Sequence, residues 1–424
     1  MRVLGGALKQ RAGQHGLSRS FWRFFLTCLF FDVGFGLYFF LINLFLAARN
    51  IDERTIGFIA GALTAGNIIA TVPVGWLARR IGLRPLLLVA FVVAPLLAGA
   101  RVFTDSPAQQ ICLAMLQGGA MCCYTVCFPP ALARLTTEDS RTAAFSFTFA
   151  AGIGSGAMAG LVGGWLPVWF QHFGTTSEVS AAMRLVLLIG CFMVICGIPQ
   201  LLQLRIPEAQ AHSSAYGEIS HIRSFLLPFL IAVAVWSLAT GAFAPFANLY
   251  LSGVLHVPLP RIGLIFSASQ LTQVLGASAA PLLYRAVGVA RGIGLLQLLT
   301  AASFLVLAHA RHTEIAVSIY LVLMCSQYSS SPGIYSLAMA RSQPHQQSSV
   351  SAWQNLVSCI AIAASAALAG AVITRFGYGT LLTGTSALAL LAAACFVFID
   401  FFSPGVDPSK SGQTKTRLQG VLSD

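Results

Sequence analysis

The sequence predicts an all-α integral membrane protein of twelve transmembrane helices, arranged as two six-helix halves. Three observations predict this fold class. Of the 424 residues, 57% are hydrophobic and only 9% are charged, whereas a soluble domain carries about 25% charged residues. Apolar stretches long enough to cross a ~30 Å hydrocarbon core recur along the whole chain. The second half of the chain also repeats the pattern of the first half.

Twelve apolar segments, separated by polar or turn-forming residues, are predicted to cross the bilayer. They are residues 21–48, 55–78, 84–103, 108–134, 142–170, 182–204, 224–253, 260–284, 290–310, 313–340, 348–374 and 379–402. The predicted domains are a leader at 1–20, an N-terminal half at 21–204, a linker at 205–223, a C-terminal half at 224–402 and a tail at 403–424.

The basic residues predict the orientation of the helices. An even number of spans places both termini on the same side, and that side with its loops holds most of the Lys and Arg residues. The positive-inside rule therefore places both termini in the cytoplasm, and the Arg-, Ala- and Gly-rich composition suggests a bacterial inner membrane. The net charge of +12 has the same origin. It does not indicate nucleic-acid binding, because no basic patch lies in a soluble domain.

An internal repeat relates the two halves of the chain. Residues 39–59 read FFLINLFLAARNIDERTIGFI and residues 245–265 read PFANLYLSGVLHVPLPRIGLI, so that Asn43 corresponds to Asn248. Further pairs at nearly the same separation are Gly57 and Gly263, Gly82 and Gly288, and Arg134 and Arg341. Two parallel six-helix repeats are typical of transporters whose solute site lies between the halves, near the membrane midplane.

The segment GWLARRIGLRP, residues 75–85, resembles the signature that the major facilitator superfamily carries between its second and third helices. The matching residues are Gly75, Leu77, Ala78, Arg80, Gly82 and Arg84. This resemblance implies transport by alternating access. Arg79 stands where the family has an acidic residue that helps to latch the cytoplasmic gate. Glu138 and Asp139 could supply that charge in reverse, or the basic residues could serve only to set the topology.

The fifth span carries glycines at regular intervals, which lets helix backbones approach closely. They are Gly152, Gly156, Gly160 and Gly164. The stripe resembles a fifth-helix motif of the family that is often linked to antiporters, although Gly160 replaces its proline. We favour a packing role. The family's frequent arginine in the fourth helix is also replaced, by Ala114.

Asp32 is the only acidic residue that is predicted to lie in the middle of the membrane. From Phe21, where the first span begins, the helix rises about 16 Å to Asp32, which is half of the hydrocarbon core. An ionised aspartate costs about 3 kcal/mol at that depth, and such residues are usually functional. Asp32 suits a proton-coupling site, but it could equally attract a cationic group or be held neutral by neighbouring helices. No basic side chain is predicted near the midplane, which favours neutral or cationic solutes.

In this family helices 1, 4, 7 and 10 line the cavity and helices 2, 5, 8 and 11 support them. The resemblance therefore makes the polar and aromatic side chains of these helices candidate substrate-binding residues. They are Tyr38, Asn43, Asn67, Gln117, Tyr124, Trp236, Thr240, Asn248, Gln270, Gln273, Gln327, Tyr328, Trp353, Gln354 and Asn355. Each could instead form an interhelical hydrogen bond, worth about 0.6 kcal/mol. The serines and proline between Gln327 and Gly333 predict irregular backbone there, as a gate or binding element.

The preferred function is secondary active transport of a small molecule, coupled to H⁺, by a monomer in the lipid bilayer. A transport-inactive membrane sensor or scaffold is the alternative. We expect no enzyme activity, cofactor or metal site. Cys122, Cys123 and Cys127 have a spacing that could suit a soft metal, but packing as small apolar side chains is the preferred interpretation.

Overall fold

The structure, a computed structural model, describes residues 18–173, 178–207, 223–310, 312–342 and 347–402. Nearly all of these residues are helical. The predicted leader, linker and tail lie largely outside the described residues.

Within these described ranges, twelve long helices form two halves of six. The N-terminal half contains α1 (Arg19–Ala48), α2 (Glu53–Ile81), α3 (Leu83–Val102), α4 (Pro107–Arg134), α5 (Glu138–His172) and α6 (Val179–Cys196), followed by a short helix at Ile198–Leu202. The C-terminal half contains α7 (Arg223–Phe243), α8 (Leu259–Val287), α9 (Val289–His309), α10 (Thr313–Ala340), α11 (347–376) and α12 (378–402). The last two are one helical segment, Gln347–Phe402, which the non-helical backbone of Gly377 divides.

Helix lengths and compositions agree with the predicted membrane spans. Within the described residues, 10 segments are long and apolar enough to cross a membrane. One of them is the 50-residue segment Val350–Ile399, which contains both α11 and α12. Helix α10, the remaining member of the twelve, is not among these 10 segments.

Two pairs of equivalent helices in the two halves have the same lengths, as the predicted repeat requires. Helices α2 and α8 both contain 29 residues, and α4 and α10 both contain 28. Gly82 ends α2 with φ 84° and ψ 173°, and Gly288 ends α8 with φ 90° and ψ 155°. Residues with a Cβ rarely adopt such positive φ values. The same turn chemistry therefore joins the second and third helices of each half.

Irregular backbone occurs at the end of α7. A 3₁₀ turn (Ala244–Phe246), a single α turn (Ala247–Leu249) and a π turn (Tyr250–Val254) follow this helix. Such π turns are frequent at functional sites.

The prediction of irregular backbone in α10 was wrong, because the helix continues through residues 327–333. The Ser329 and Ser330 hydroxyl groups donate to carbonyls one turn earlier, at Cys325 and Ser326. These serines are therefore accommodated within the helical hydrogen-bond pattern.

The two halves contact each other closely at one end of the bundle, opposite to the start of α1 and the end of α12. We call this end the far end. There α5 packs on α8: a Cβ added to Gly263 would lie 2.3 Å from the Gly160 carbonyl oxygen. Helix α2 packs on α11 in the same way, because a Cβ at Gly57 would lie 2.5 Å from the Ala366 carbonyl oxygen. Small residues thus allow the backbones of the two halves to meet. We call the other end, which holds the start of α1 and the end of α12, the terminal end.

Candidate functional site

A cavity of about 530 Å³ lies between the two halves. Helices α1 and α5 contribute one wall, and α7 with its irregular end, α8 and α10 contribute the other. Eight of the residues that the sequence predicts as site residues line it: Asp32, Asn43, Thr240, Asn248, Gln270, Gln273, Gln327 and Tyr328. The cavity thus combines one carboxyl group with amide and hydroxyl groups from both halves.

One face of α1 runs along the cavity. Asp32, Phe35, Phe39 and Asn43 all line it, because residues three or four positions apart share a face of a helix. From Asp32 to Asn43 this face rises about 16 Å. Phe35 and Phe39 were not among the predicted site residues, although their spacing from Asp32 and Asn43 could have identified them.

The Asp32 side chain is half-buried and faces the cavity. No described residue donates a hydrogen bond to its carboxyl group or forms an ion pair with it. Gly152 of α5 leaves room beside it, since an added Cβ would lie 3.4 Å from Asp32 Oδ2. The carboxyl group is therefore available to water, to a proton or to a solute.

Two asparagines close the cavity at the far end. Asn43 Nδ2 donates to the Pro245 carbonyl oxygen at 2.8 Å, and Asn248 Nδ2 donates to the Phe40 carbonyl oxygen at 3.0 Å. The ring of Phe40 also packs on that of Phe266, with centroids 5.3 Å apart. Both asparagines line the cavity as predicted, but their amide donors join the halves.

Three glutamines provide polar groups on the opposite wall. Gln270 and Gln273 project from α8 and Gln327 from α10. Ser269 and Tyr320, which were not among the predicted site residues, also line this wall. A solute could therefore meet amide and hydroxyl groups opposite the aromatic face of α1.

The other predicted binding residues do not line the cavity. They are Tyr38, Asn67, Gln117, Tyr124, Trp236, Trp353, Gln354 and Asn355. Tyr38 is fully buried and its hydroxyl group donates to the Ala98 carbonyl oxygen. The Tyr124 ring stacks on that of Phe31, with centroids 3.8 Å apart. These tyrosines pack helices of the N-terminal half together.

Gln117, a predicted substrate-binding residue, accepts a hydrogen bond from a buried arginine outside the cavity. Arg101, near the end of α3, is only 2% exposed. Its Nη1 donates to Gln117 Oε1 at 2.8 Å, and its Nε donates to Gln110 Oε1 at 3.1 Å. The guanidinium group thus occupies the amide oxygen of Gln117.

The basic residues of the gate motif lie at the terminal end of the N-terminal half. Arg84 donates to the Leu202 carbonyl oxygen, Arg80 stacks over the ring of Trp76 at 4.0 Å, and Arg79 is exposed. The side chains of Glu138 and Asp139, which were predicted as partners of Arg79, lie outside the described part of the chain.

The cysteines of α4 pack inside the N-terminal half. Cys122, Cys123 and Cys127 are buried, and the Thr71 hydroxyl group lies 3.5 Å from Cys122 Sγ. Among the described residues, no group of three His, Cys, Asp or Glu side chains is arranged to hold a metal ion.

Comparison with known proteins supports the resemblance. The family model described as Major Facilitator Superfamily matches residues 24–366. No curated protein matches the sequence significantly.

Solved structures show the same fold at low sequence identity. An inward-facing, unoccupied bacterial homolog of the human lysosomal transporter Spinster is 14% identical, with a TM-score of 0.77, over 92% of this chain and 100% of that chain. The nucleoside transporter NupG is 12% identical, with a TM-score of 0.75, over 90% and 99% of the two chains. A bacterial homologue of the iron transporter ferroportin, in an inward-facing state, is 14% identical, with a TM-score of 0.71, over 91% and 99%.

Proposed function

Since the chain belongs to the major facilitator superfamily, and therefore transports a solute across a membrane, we propose that it is a proton-coupled secondary active transporter of a small organic solute. The observation that carries this proposal is the cavity between the halves, which is closed at the far end and contains Asp32. Such a site, reached from one side at a time, is what alternating access requires.

The distribution of basic residues supports an orientation with both termini in the cytoplasm of a bacterial inner membrane. In this orientation the far end, which the asparagine contacts close, is periplasmic, and we infer that the solute reaches the cavity from the cytoplasmic side. Transport then requires a second state in which the far end separates and the terminal ends meet. The contacts between Gly160 and Gly263 and those of the two asparagines are broken in that state.

Asp32 couples this change to protons. Water that enters the open cavity stabilises the ionised carboxyl group, and a closed apolar cavity favours the neutral one. The lack of a protein partner for this carboxyl group supports the role, because nothing in the described structure fixes it in one protonation state. A panel of labelled solutes, tested in proteoliposomes with and without a pH gradient, identifies the solute and the coupling.

Asp32→Asn tests the coupling site. The variant keeps the shape of the side chain but cannot ionise, so gradient-driven accumulation should disappear while solute exchange at equal concentrations partly survives. Asp52→Asn is the control, since this helix N-cap lies outside the cavity and asparagine also caps helices. Normal accumulation by the Asp32→Asn variant would exclude Asp32 as the coupling residue. A transport-inactive sensor or scaffold predicts neither accumulation nor exchange by the wild-type protein.

A further inference from the structure

The charge and the aromatic content of the cavity bear on the chemical class of the solute. Asp32 is the only charged side chain among the described residues that line it. Aromatic rings from α1, α7, α8 and α10 line the same space; they are Phe31, Phe35, Phe39, Phe40, Phe243, Phe266, Tyr320 and Tyr328. A single negative group within aromatic walls favours a cation, because ring faces and a carboxylate both attract positive charge.

Other classes of solute fit this lining less well. An anion would face Asp32 with no compensating cationic side chain in the described lining, and like charges in an apolar site repel strongly. A neutral solute fits the closed cavity only when Asp32 is protonated, whereas a cation can pair with the ionised carboxylate. Two of the amide groups, those of Asn43 and Asn248, already donate to backbone carbonyls, which leaves each of them one fewer hydrogen to offer a polyhydroxylated solute.

The positions of these groups along α1 orient the solute. Asp32 lies toward the terminal end, while Phe35 and Phe39 follow it toward the closed far end. The Phe35 and Phe39 rings stack with centroids 5.8 Å apart, and Phe39 keeps 37% of its surface exposed. A ring system can therefore lie against Phe39 while an attached cationic group lies at Asp32.

We propose that the cavity binds an organic monocation with an aromatic body, its charged group at Asp32 and its rings along the Phe35–Phe39 face of α1. This inference rests on the proposed function only in taking the cavity as the solute site. Binding to the purified protein requires neither a proton gradient nor transport. Failure of the two proposals can therefore be distinguished.

Equilibrium binding to the full-length protein in detergent tests the charge requirement. Tetraphenylphosphonium and tetraphenylborate are suitable probes, because they have nearly the same shape and opposite charge. The wild-type protein should bind the phosphonium and discriminate against the borate. Asp32→Asn should weaken phosphonium binding at least about tenfold, or about 1.4 kcal/mol, whereas Asp32→Glu should retain most of it. Equal binding of both probes, or an unchanged affinity in Asp32→Asn, would overturn the proposal.

A second pair of variants tests the aromatic requirement and does not depend on the folding of Asp32→Asn. Phe39→Leu should weaken phosphonium binding about threefold to tenfold through the loss of a ring contact, without affecting tetramethylammonium, which has no rings. Phe103→Leu is the matched control, because this exposed ring lies outside the cavity. Equal effects of Phe39→Leu and Phe103→Leu would refute the proposed orientation. Phosphonium binding without any gradient-driven transport would contradict the transport function and leave this site assignment intact.

Discussion

Asn43 and Asn248 occupy equivalent positions in the two halves and make reciprocal hydrogen bonds across the far end of the cavity. Asn43 donates to the carbonyl of Pro245, and Asn248 donates to the carbonyl of Phe40. The two acceptors are themselves related by the internal repeat, at the same separation as the two donors. The duplication has therefore produced a symmetric pair of bonds that closes one side of the cavity.

Removal of either asparagine side chain should loosen the far end. Asn43→Ala and Asn248→Ala each leave a carbonyl oxygen without its partner, at a cost of about 1 kcal/mol. That cost should increase the opening equilibrium about fivefold. Hydrogen–deuterium exchange of residues 244–254 should accelerate in both variants, and Asn355→Ala, which changes an exposed amide outside the cavity, should leave it unchanged. Exchange at the wild-type rate in both asparagine variants would show that these bonds do not hold the closed state.

Gly263→Ala should also disfavour closure of the far end. The new methyl group would meet the backbone of Gly160 on the other half, and backbone cannot move aside as a flexible side chain can. The variant should open the far end more often, observable as faster modification of a single cysteine placed at Ala247, a buried cavity-lining position, in a cysteine-free background. Gly154→Ala is the matched control, because an added Cβ at this α5 position has no neighbour within 4 Å. Identical modification rates in the two variants would contradict the packing role.

The sequence predicted the helices and the position of Asp32 within the membrane-spanning bundle well, because both depend on local properties. Apolar length determines which segments span a bilayer, and an isolated carboxyl group in such a segment stands out whatever surrounds it. The repeat also identified Asn43 and Asn248 as equivalent residues. The sequence could not show that their amides bond to each other's half, since that depends on which end of the bundle is closed.

Tertiary contacts explain why some predicted binding residues do not line the cavity. Gln117 and Tyr38 are polar or aromatic residues on cavity-lining helices, but rotation of each helix turns them into the N-terminal half, where Gln117 accepts from Arg101 and Tyr38 donates to Ala98. The position of a residue along a helix does not show which way its side chain points when apolar residues surround the helix. The serines of α10 were misjudged because composition does not reveal whether a hydroxyl group bonds within its own helix.

Arg101 should be required for the stability of the N-terminal half. Its guanidinium group reaches two glutamine acceptors, Gln110 and Gln117, through two different nitrogens. Lysine carries a single ammonium group and cannot reproduce this fork, so Arg101→Lys should still cost about 1–3 kcal/mol of stability. Thermal unfolding in detergent measures the loss. Arg184→Lys should have a smaller effect, since Arg184 Nε is buried without a hydrogen-bond partner among the described residues, and equal losses would refute the role of the fork.

Arg79 should affect the balance between the two transport states if it latches the terminal end. It is exposed in this structure, in which the far end is closed. Its proposed partners Glu138 and Asp139 belong to the same half, so the pair would act by stabilising the surface that the C-terminal half meets when the terminal ends close. Arg79→Ala should then favour the present state. Hydrogen–deuterium exchange of residues 244–254 should become slower, because the far end opens less often. In a double-mutant cycle, Glu138→Gln or Asp139→Asn should have little further effect in the Arg79→Ala background. Additive effects of the substitutions would mean that Arg79 has no acidic partner there and contributes only to the topology of the chain.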